Sequence, residues 1–100
     1  MYLFYVTINI DEDIEEQWLH WMYERCTLLV SGISASYKVL KPVNAEQFGG
    51  NTYSFQFILD EKISAQHFEE QYNELIGKLM YKNFKDKFAE FRTLLEIIKD

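Results

Sequence analysis

The period at which apolar residues recur changes several times along this chain, and the order of those periods limits the folds open to it. Residues 2–10 (YLFYVTINI) alternate every second residue and are rich in β-branched and aromatic side chains, as in a half-buried strand. Apolar residues then recur every three or four positions, which is typical of a helix near 12–30. The apolar residues of that helix are Ile14, Trp18, Trp21, Met22, Cys26 and Leu29. The chain therefore begins with a strand and then a helix.

The ends of this first helix are indicated by single residues. Asp11 or Asp13 is the expected N-cap, because short carboxylate side chains suit the positive end of a helix. Gly32 is the expected stop, since glycine readily adopts the left-handed conformation that ends many helices.

Two further strands are predicted in the middle of the chain. Residues 33–43 alternate up to Pro42, which marks a sheet edge or the end of that strand. Residues 52–60 (TYSFQFILD) show the clearest alternation in the chain. The intervening residues 44–51 contain Gly49-Gly50 and read as a loop, so the two strands are predicted to form a hairpin.

A second helix and a fourth strand complete the chain. Ser64 is the expected N-cap of a helix that runs to about Phe84. Its apolar residues are Phe68, Tyr72, Leu75, Ile76, Leu79 and Met80. Residues 87–99 alternate again and are interpreted as a strand, with a helix through LLEII as the alternative.

The resulting order, β-α-β-β-α-β, predicts an α+β ferredoxin-like sandwich, with a four-stranded antiparallel sheet and two helices on one face. One hundred residues make a single domain, 1–100. The residues expected to face the helices are Phe4, Val6, Ile8, Tyr53, Phe55, Phe57, Phe91, Leu95 and Ile97. Those expected on the open face are Leu3, Tyr5, Thr7, Ser54, Gln56, Ile58, Glu90, Arg92 and Leu94.

Charge and cysteine content narrow the class of protein. The net charge of −6 and the pI of about 4.9 argue against a nucleic-acid binder, which needs a basic surface. The single cysteine, Cys26, cannot form an intrachain disulfide, which favours a reducing compartment. The first residues lack the basic segment of a signal peptide, and no apolar run has the length of a membrane span. We therefore expect a soluble cytoplasmic protein.

Arg92 is the most informative candidate for a functional residue, because it is a cation within an apolar strand. Its structural interpretation is an ion pair with Glu90 or another carboxylate, and its functional interpretation is an anion clamp or an interface anchor. Tyr5, Gln56 and Leu94 are expected to share the open face with it. The remaining candidates, Trp18 and Trp21, either line a pocket or belong to the core.

The other reactive side chains give little indication of catalysis. His20 and His67 stand in no metal-ligand spacing, and Cys26 has no partner motif, so we expect neither metal nor cofactor. The segment Tyr53 to Phe57 partly matches an RNA-recognition strand, in which aromatic rings stack on bases. The basic residue and glycine that usually precede such a strand are replaced by Asn51-Thr52.

Three segments together resemble the DUF4286 family of small proteins. They are YLFYVTINIDEDIEEQWLHWM, YSFQF and FAEFRTLLEII, and their most specific pieces are Trp18-Leu19-x-Trp21-Met22 and Phe91-Arg92-Thr93. The resemblance implies a ferredoxin-like domain of the dimeric α/β-barrel type and carries no established activity. Family members often have a His, an apolar residue and a Pro after the tryptophans, where this chain has Cys26, Thr27 and Leu28.

Three functions are compatible with these observations. The first is a homodimeric module that binds a ligand or another protein, since two helices leave one sheet face open to a partner copy. The second is an enzyme of the dimeric α/β-barrel type, similar in architecture to small monooxygenases; this rests on fold analogy. The third is an RNA-binding module. Membrane association is not expected.

Overall fold

A computed structural model describes residues 1–33, 35–42, 51–61 and 63–99. Its four strands form one antiparallel sheet in the order β2-β3-β1-β4. They are β1 (Tyr2–Ile10), β2 (Ala35–Leu40), β3 (Asn51–Leu59) and β4 (Phe88–Glu96). The ferredoxin-like α+β fold is thus confirmed. The expected loop at 44–51 lies outside the described residues, except for Asn51, which begins β3.

Two helices cover one face of this sheet. The helix α1 (Glu15–Val30) follows a 3₁₀ turn at Glu12–Ile14. The second helix, α2, is continuous from Ala65–Tyr72 through a π-helical turn into Lys78–Asn83. The helix α1 packs on β2, α2 packs on β1, and α1 contacts α2 at the π turn.

The helix ends agree with the sequence at two positions and differ at one. Gly32 has φ +77°, and the Ser64 Oγ accepts a hydrogen bond from the backbone N–H of His67 at 3.2 Å. Neither Asp11 nor Asp13 caps α1, because Ile14 occupies the N-cap position after the extra 3₁₀ turn. Asp11 stands at the start of that turn and makes no side-chain capping bond.

Aromatic rings fill the space between the sheet and the helices. The ring of Phe4 on β1 lies 5.2–6.2 Å from those of Phe57, Phe68 and Tyr72, mostly edge to face. Trp18 of α1 packs on Tyr53 at 5.6 Å, and both rings are buried. Such pairs add to the stabilisation that comes from removing apolar surface from water. Among the described residues, eight aromatic side chains are buried in this core and four more pack against it.

The predicted faces are right for β1 and β3 and wrong for β4. All six residues assigned to the helix side of β1 and β3 are buried there. In β4, however, Arg92 pairs with Val6 and Leu94 pairs with Phe4, so Arg92 and Leu94 lie on the helix side. Since paired residues share a face, Phe91 and Leu95 lie on the open face instead.

The reversal of β4 has a physical reason. This strand lies at the edge of the sheet beside α2, where polar groups are within reach of Glu90 and Arg92. Both of its faces carry apolar residues, so its alternation alone does not decide which face is buried. Ile97, also predicted to face the helices, lies beyond the end of β4, and its N–H donates to the Met1 carbonyl at 2.9 Å.

The π turn at Asn73–Gly77 was not predicted. The buried residues of α2 are spaced by four, at Phe68, Tyr72, Ile76 and Met80. Each step of four exceeds a turn of 3.6 residues. In a regular α-helix the line of these buried residues, their stripe, would therefore rotate around the helix axis by about 40° per step. The wider turn takes up part of this rotation and keeps the stripe on the sheet.

Substitution of Gly32 tests how α1 ends. Among the described residues, and apart from its neighbours in sequence, no atom lies within 4 Å of a Cβ added at Gly32, so Gly32→Ala is expected to introduce the backbone cost of a left-handed conformation. We expect the free energy of unfolding to fall by about 1 kcal/mol, measured by urea denaturation. Gly32→Asn should recover part of the loss, because asparagine tolerates this conformation. Equal stability of the alanine variant and wild type would contradict the assignment.

Candidate functional site

The open face of the sheet is a surface of four rows; three cross the strands from β2 to β4, and the fourth crosses from β3 to β4. We name each row by its β1 residue. The Leu3 row is Ser36, Ile58, Leu3 and Leu95; the Tyr5 row is Lys38, Gln56, Tyr5 and Thr93; the Thr7 row is Leu40, Ser54, Thr7 and Phe91; the Asn9 row is Thr52, Asn9 and Ala89. No described helix lies over these rows.

Lys38 is the one charged residue among the fifteen positions of these rows. Charged residues make up 26% of the chain, so charge is depleted on this face. Large apolar side chains are accessible there, and Phe91 has 71% of its surface exposed. Depletion of charge together with exposed aromatic surface distinguishes the centre of a protein interface from ordinary surface.

Hydrogen bonds between neighbouring strands order the middle of the open face. The Tyr5 hydroxyl lies 3.0 Å from Ser54 Oγ, and Asn9 Nδ2 donates to Thr52 Oγ1 at 3.0 Å. Hydrogen bonds from Ser54 and then Thr7 lower the pKa of Tyr5. The candidates Tyr5 and Gln56 pair directly across β1 and β3, so the structure brings these two together as predicted.

Arg92 lies on the opposite side of the sheet, away from Tyr5 and Gln56. Its Nε donates to Glu90 Oε1 at 2.8 Å, and its guanidinium carbon lies 4.9 Å from the centre of the Tyr72 ring. Tyr72 donates to the second Glu90 oxygen at 2.7 Å. Burial, followed by the charge of Glu90, raises the pKa of the Tyr72 hydroxyl well above its usual value. These contacts favour the structural interpretation of Arg92, an ion pair with Glu90.

The π turn supports this network from the helix side. Both terminal nitrogens of Arg92 lie 3.4 Å from Asn73 Oδ1. A Cβ added at Gly77 would overlap Arg92 Nη2 and lie 2.7 Å from the same Asn73 oxygen. The glycine therefore leaves room for the guanidinium. A glycine inside a predicted helix was the only sequence signal for this contact.

A second polar cluster lies at the start of α1 and was not predicted from the sequence. Glu15 accepts hydrogen bonds from the Tyr53 hydroxyl and from Asn51 Nδ2, the latter at 2.8 Å. Lys41 Nζ lies 4.0 Å from Glu15 and 5.2 Å from the centre of the Tyr53 ring. Burial and then the hydrogen bond to Glu15 raise the pKa of Tyr53 to about 12. This cluster ties α1 to β3.

Trp18 belongs to the core, and Trp21 packs against it. Trp18 is fully buried, and its Nε1 has no hydrogen-bond acceptor among the described residues. Trp21 is partly buried against the same core, with its ring 5.3 Å from Phe84 and Arg25 stacked 5.6 Å from its centre. They do not share a site with Tyr5 or Gln56.

The remaining reactive side chains are dispersed. Cys26 is buried, and burial raises the pKa of its thiol to about 12, which opposes nucleophilic use. His20 is exposed on α1 and pairs with Glu24 at 3.1 Å, while His67 is exposed on α2. Among the described residues, no three His, Cys, Asp or Glu side chains are grouped so that they could hold a metal ion.

The proposed RNA-binding strand presents its aromatic rings to the wrong side. Tyr53, Phe55 and Phe57 point under the helices and are at most 8% exposed. The open face receives Ser54 and Gln56 from this strand instead. The partial match to an RNA-recognition strand is therefore no argument for base stacking here.

Gly77→Ala tests whether Arg92 is held in place. Alanine is a better helix former than glycine by about 1 kcal/mol, so the substitution should stabilise an unobstructed helix. In this chain we expect the free energy of unfolding to fall instead, because the methyl group displaces Arg92 and Asn73. In an Arg92→Ala background the same substitution should be stabilising. Urea denaturation of wild type, the two single variants and the double variant measures the free-energy change caused by Gly77→Ala in each background. The same sign in both backgrounds would contradict the packing of Gly77 against Arg92.

Tyr53→Phe tests the Glu15 cluster through pH. The folded chain holds the Tyr53 proton to a pKa of about 12, whereas unfolded tyrosine ionises near 10. The stabilisation that comes from keeping the Tyr53 hydroxyl protonated is therefore complete below pH 10 and is lost between pH 10 and 12. We expect Tyr53→Phe to be clearly less stable than wild type at pH 8.5, and the gap to narrow by pH 11. A gap independent of pH would show that the hydroxyl is not held in this way.

The fold has solved relatives. Two proteins from uncultured marine organisms, each described as a dimeric ferredoxin-like protein, superpose with TM-scores of 0.69 and 0.75 at 17% and 8% identity. Each alignment covers 99% of this chain, and 95% and 96% of theirs respectively. A proposed monooxygenase from Shewanella loihica PV-4 superposes with a TM-score of 0.55 at 10% identity, covering 99% of this chain and 96% of its own. At these identities the likeness establishes the fold alone.

Comparison of sequences gives the family. No curated protein matches the chain. In the described part of the chain, no helix combines the length and apolar character needed to cross a membrane. The sequence model described as domain of unknown function DUF4286 matches residues 1–98, nearly the whole chain, so the protein belongs to the DUF4286 family.

Proposed function

We propose that this protein is a homodimeric interaction module in which two copies bury the open faces of their sheets against each other. The observation that carries the proposal is the composition of that face, with one charged residue in fifteen positions and Phe91 exposed at its edge. A second copy presents the same nearly uncharged surface, so few charges would lose their hydration on association.

The solved relatives support the same assembly. The two with the higher TM-scores are both described as dimeric. Covering the apolar side chains Leu3, Leu40, Ile58, Phe91 and Leu95 would contribute about 1.5–3 kcal/mol for each one fully buried. The loss of translational and rotational freedom offsets much of that sum. The neutral polar centre around Tyr5 and Gln56 would fix the relative position of the two copies by hydrogen bonds.

An enzyme of the dimeric α/β-barrel type remains the alternative and has weaker support. The likeness to the proposed monooxygenase concerns the fold, which hosts many functions. Among the described residues, the Cys26 thiol is buried and the two histidines are exposed on the helices, apart from the open face. Nucleophilic or acid–base chemistry would need such groups brought together.

Two substitutions on opposite sides of β4 test the homodimer. Phe91→Glu places a charge in the proposed contact twice by symmetry, and we expect it to convert the dimer to monomer. Leu94→Glu is the matched control, because Leu94 is 42% exposed in the same strand but faces the helix side. Light scattering coupled to gel filtration at tens of micromolar gives the mass.

The expected wild-type mass is twice the 12.0 kDa of one chain. Leu94→Glu should retain this mass, and Phe91→Glu should give that of a single chain. A monomeric wild type would refute the proposal. So would a dimer that Leu94→Glu dissociates and Phe91→Glu leaves intact, because the contact would then lie on the other side of the sheet.

A further inference from the structure

The order of side chains within the rows restricts how two open faces can meet. In a closed dimer a twofold axis relates the copies, and the same patch contributes on both sides. For two faces stacked on each other, this axis lies in the plane between them. Two simple orientations exist, with the axis running either across the strands or along them. Each orientation brings different residues together, so the pattern of the face distinguishes them.

An axis across the strands fits the pattern poorly. If it followed the Tyr5 row, the Leu3 row of one copy would lie on the Thr7 row of the other. Ile58 would then face the partner's Ser54, and Leu3 would face the partner's Thr7. Both contacts set an apolar side chain of one copy against a hydroxyl-bearing side chain of the other. Two apolar side chains would meet only at the β4 edge, where Leu95 would face the partner's Phe91.

An axis along the strands, between β3 and β1, fits much better. Each row then meets itself in reverse order, with β3 over the partner's β1 and β2 over the partner's β4. In the Leu3 row, Ile58 meets the partner's Leu3, so two apolar side chains are in contact. In the Thr7 row, Leu40 meets the partner's Phe91, and these side chains are 43% and 71% exposed in the single chain.

The polar side chains are matched by the same axis. In the Tyr5 row, Gln56 meets the partner's Tyr5, so the side-chain amide and the phenol can exchange hydrogen bonds near the axis, twice by symmetry. Ser54 meets the partner's Thr7 in the same manner. The mismatches lie at the edges of the face, where Ser36 lies opposite the partner's Leu95 and the charged Lys38 lies opposite the partner's Thr93.

We infer that the dimer axis runs along the strands between β3 and β1, so that Leu40 of each copy packs on the partner's Phe91 and Gln56 on the partner's Tyr5. The inference rests on the proposed homodimer and adds its geometry. The partner is a second copy of this chain, and each hydrophobic contact at the two edges joins β2 of one copy to β4 of the other.

A mixing experiment with opposite charges tests this geometry. Leu40→Glu and Phe91→Lys should each give a monomer, because each homodimer would set a charge against an apolar side chain at two places. An equimolar mixture should form a heterodimer, with a Glu–Lys pair at one edge and the native Leu40–Phe91 contact at the other. Native mass spectrometry distinguishes the heterodimer from both homodimers by mass. We expect the mixture to bind at least about tenfold more tightly than either variant with itself.

The matched control is a mixture of Leu40→Glu with Phe91→Glu, which should stay monomeric because two carboxylates would then meet. If wild type is a dimer and Leu40→Glu or Phe91→Lys alone leaves it intact, the inferred contact is wrong. It is equally wrong if both variants are monomeric and their mixture gives no heterodimer, although the homodimer itself would stand. A monomeric wild type would instead refute the proposed function.

Discussion

Two helices can cover only one face of a four-stranded sheet, and the other features of this protein follow from that constraint. The central strand β1 pairs with β3 on one side and β4 on the other, so its alternation orders both faces. Phe4, Val6 and Ile8 are buried on the helix face. Leu3, Tyr5 and Thr7 take the open face, where no described element covers them. The same strand thus builds the core of the chain and, in the proposed homodimer, presents a surface to the second copy.

The sequence predicted the fold and two strands' faces well because the contrast between those faces is strong. In β3, Tyr53, Phe55 and Phe57 alternate with small or polar residues, and only one arrangement buries the rings. In β4 the contrast is weak, because both faces carry apolar side chains. Phe91 and Leu95 lie on one face. Leu94 lies on the other, together with the ion pair of Glu90 and Arg92. Apolarity alone therefore selected the wrong face. The register with β1, which depends on distant residues, decides it.

The two polar clusters were not predicted from the sequence, for a related reason. Glu15 and Tyr53 are separated by 38 positions in sequence, and their hydrogen bond exists only because α1 lies across β3. Gly77 lies inside α2, where a glycine by sequence alone only weakens a helix. It is instead the position at which α2 approaches Arg92, and the π turn beside it keeps the buried stripe on the sheet. Local sequence patterns indicate helix or strand propensity. These contacts instead depend on the packing of elements that are remote in sequence.

The placement of Glu90 and Arg92 connects the core to the proposed interface. Had β4 taken the predicted register, both charges would lie on the open face and would lose their hydration when a second copy covered it. Under the helices they are instead satisfied by Tyr72, Asn73 and each other. The outer helix surfaces carry an excess of carboxylates within a chain of net charge −6, and like charges oppose association there. The nearly uncharged open face is therefore the surface on which two copies can meet with the least loss of charge hydration.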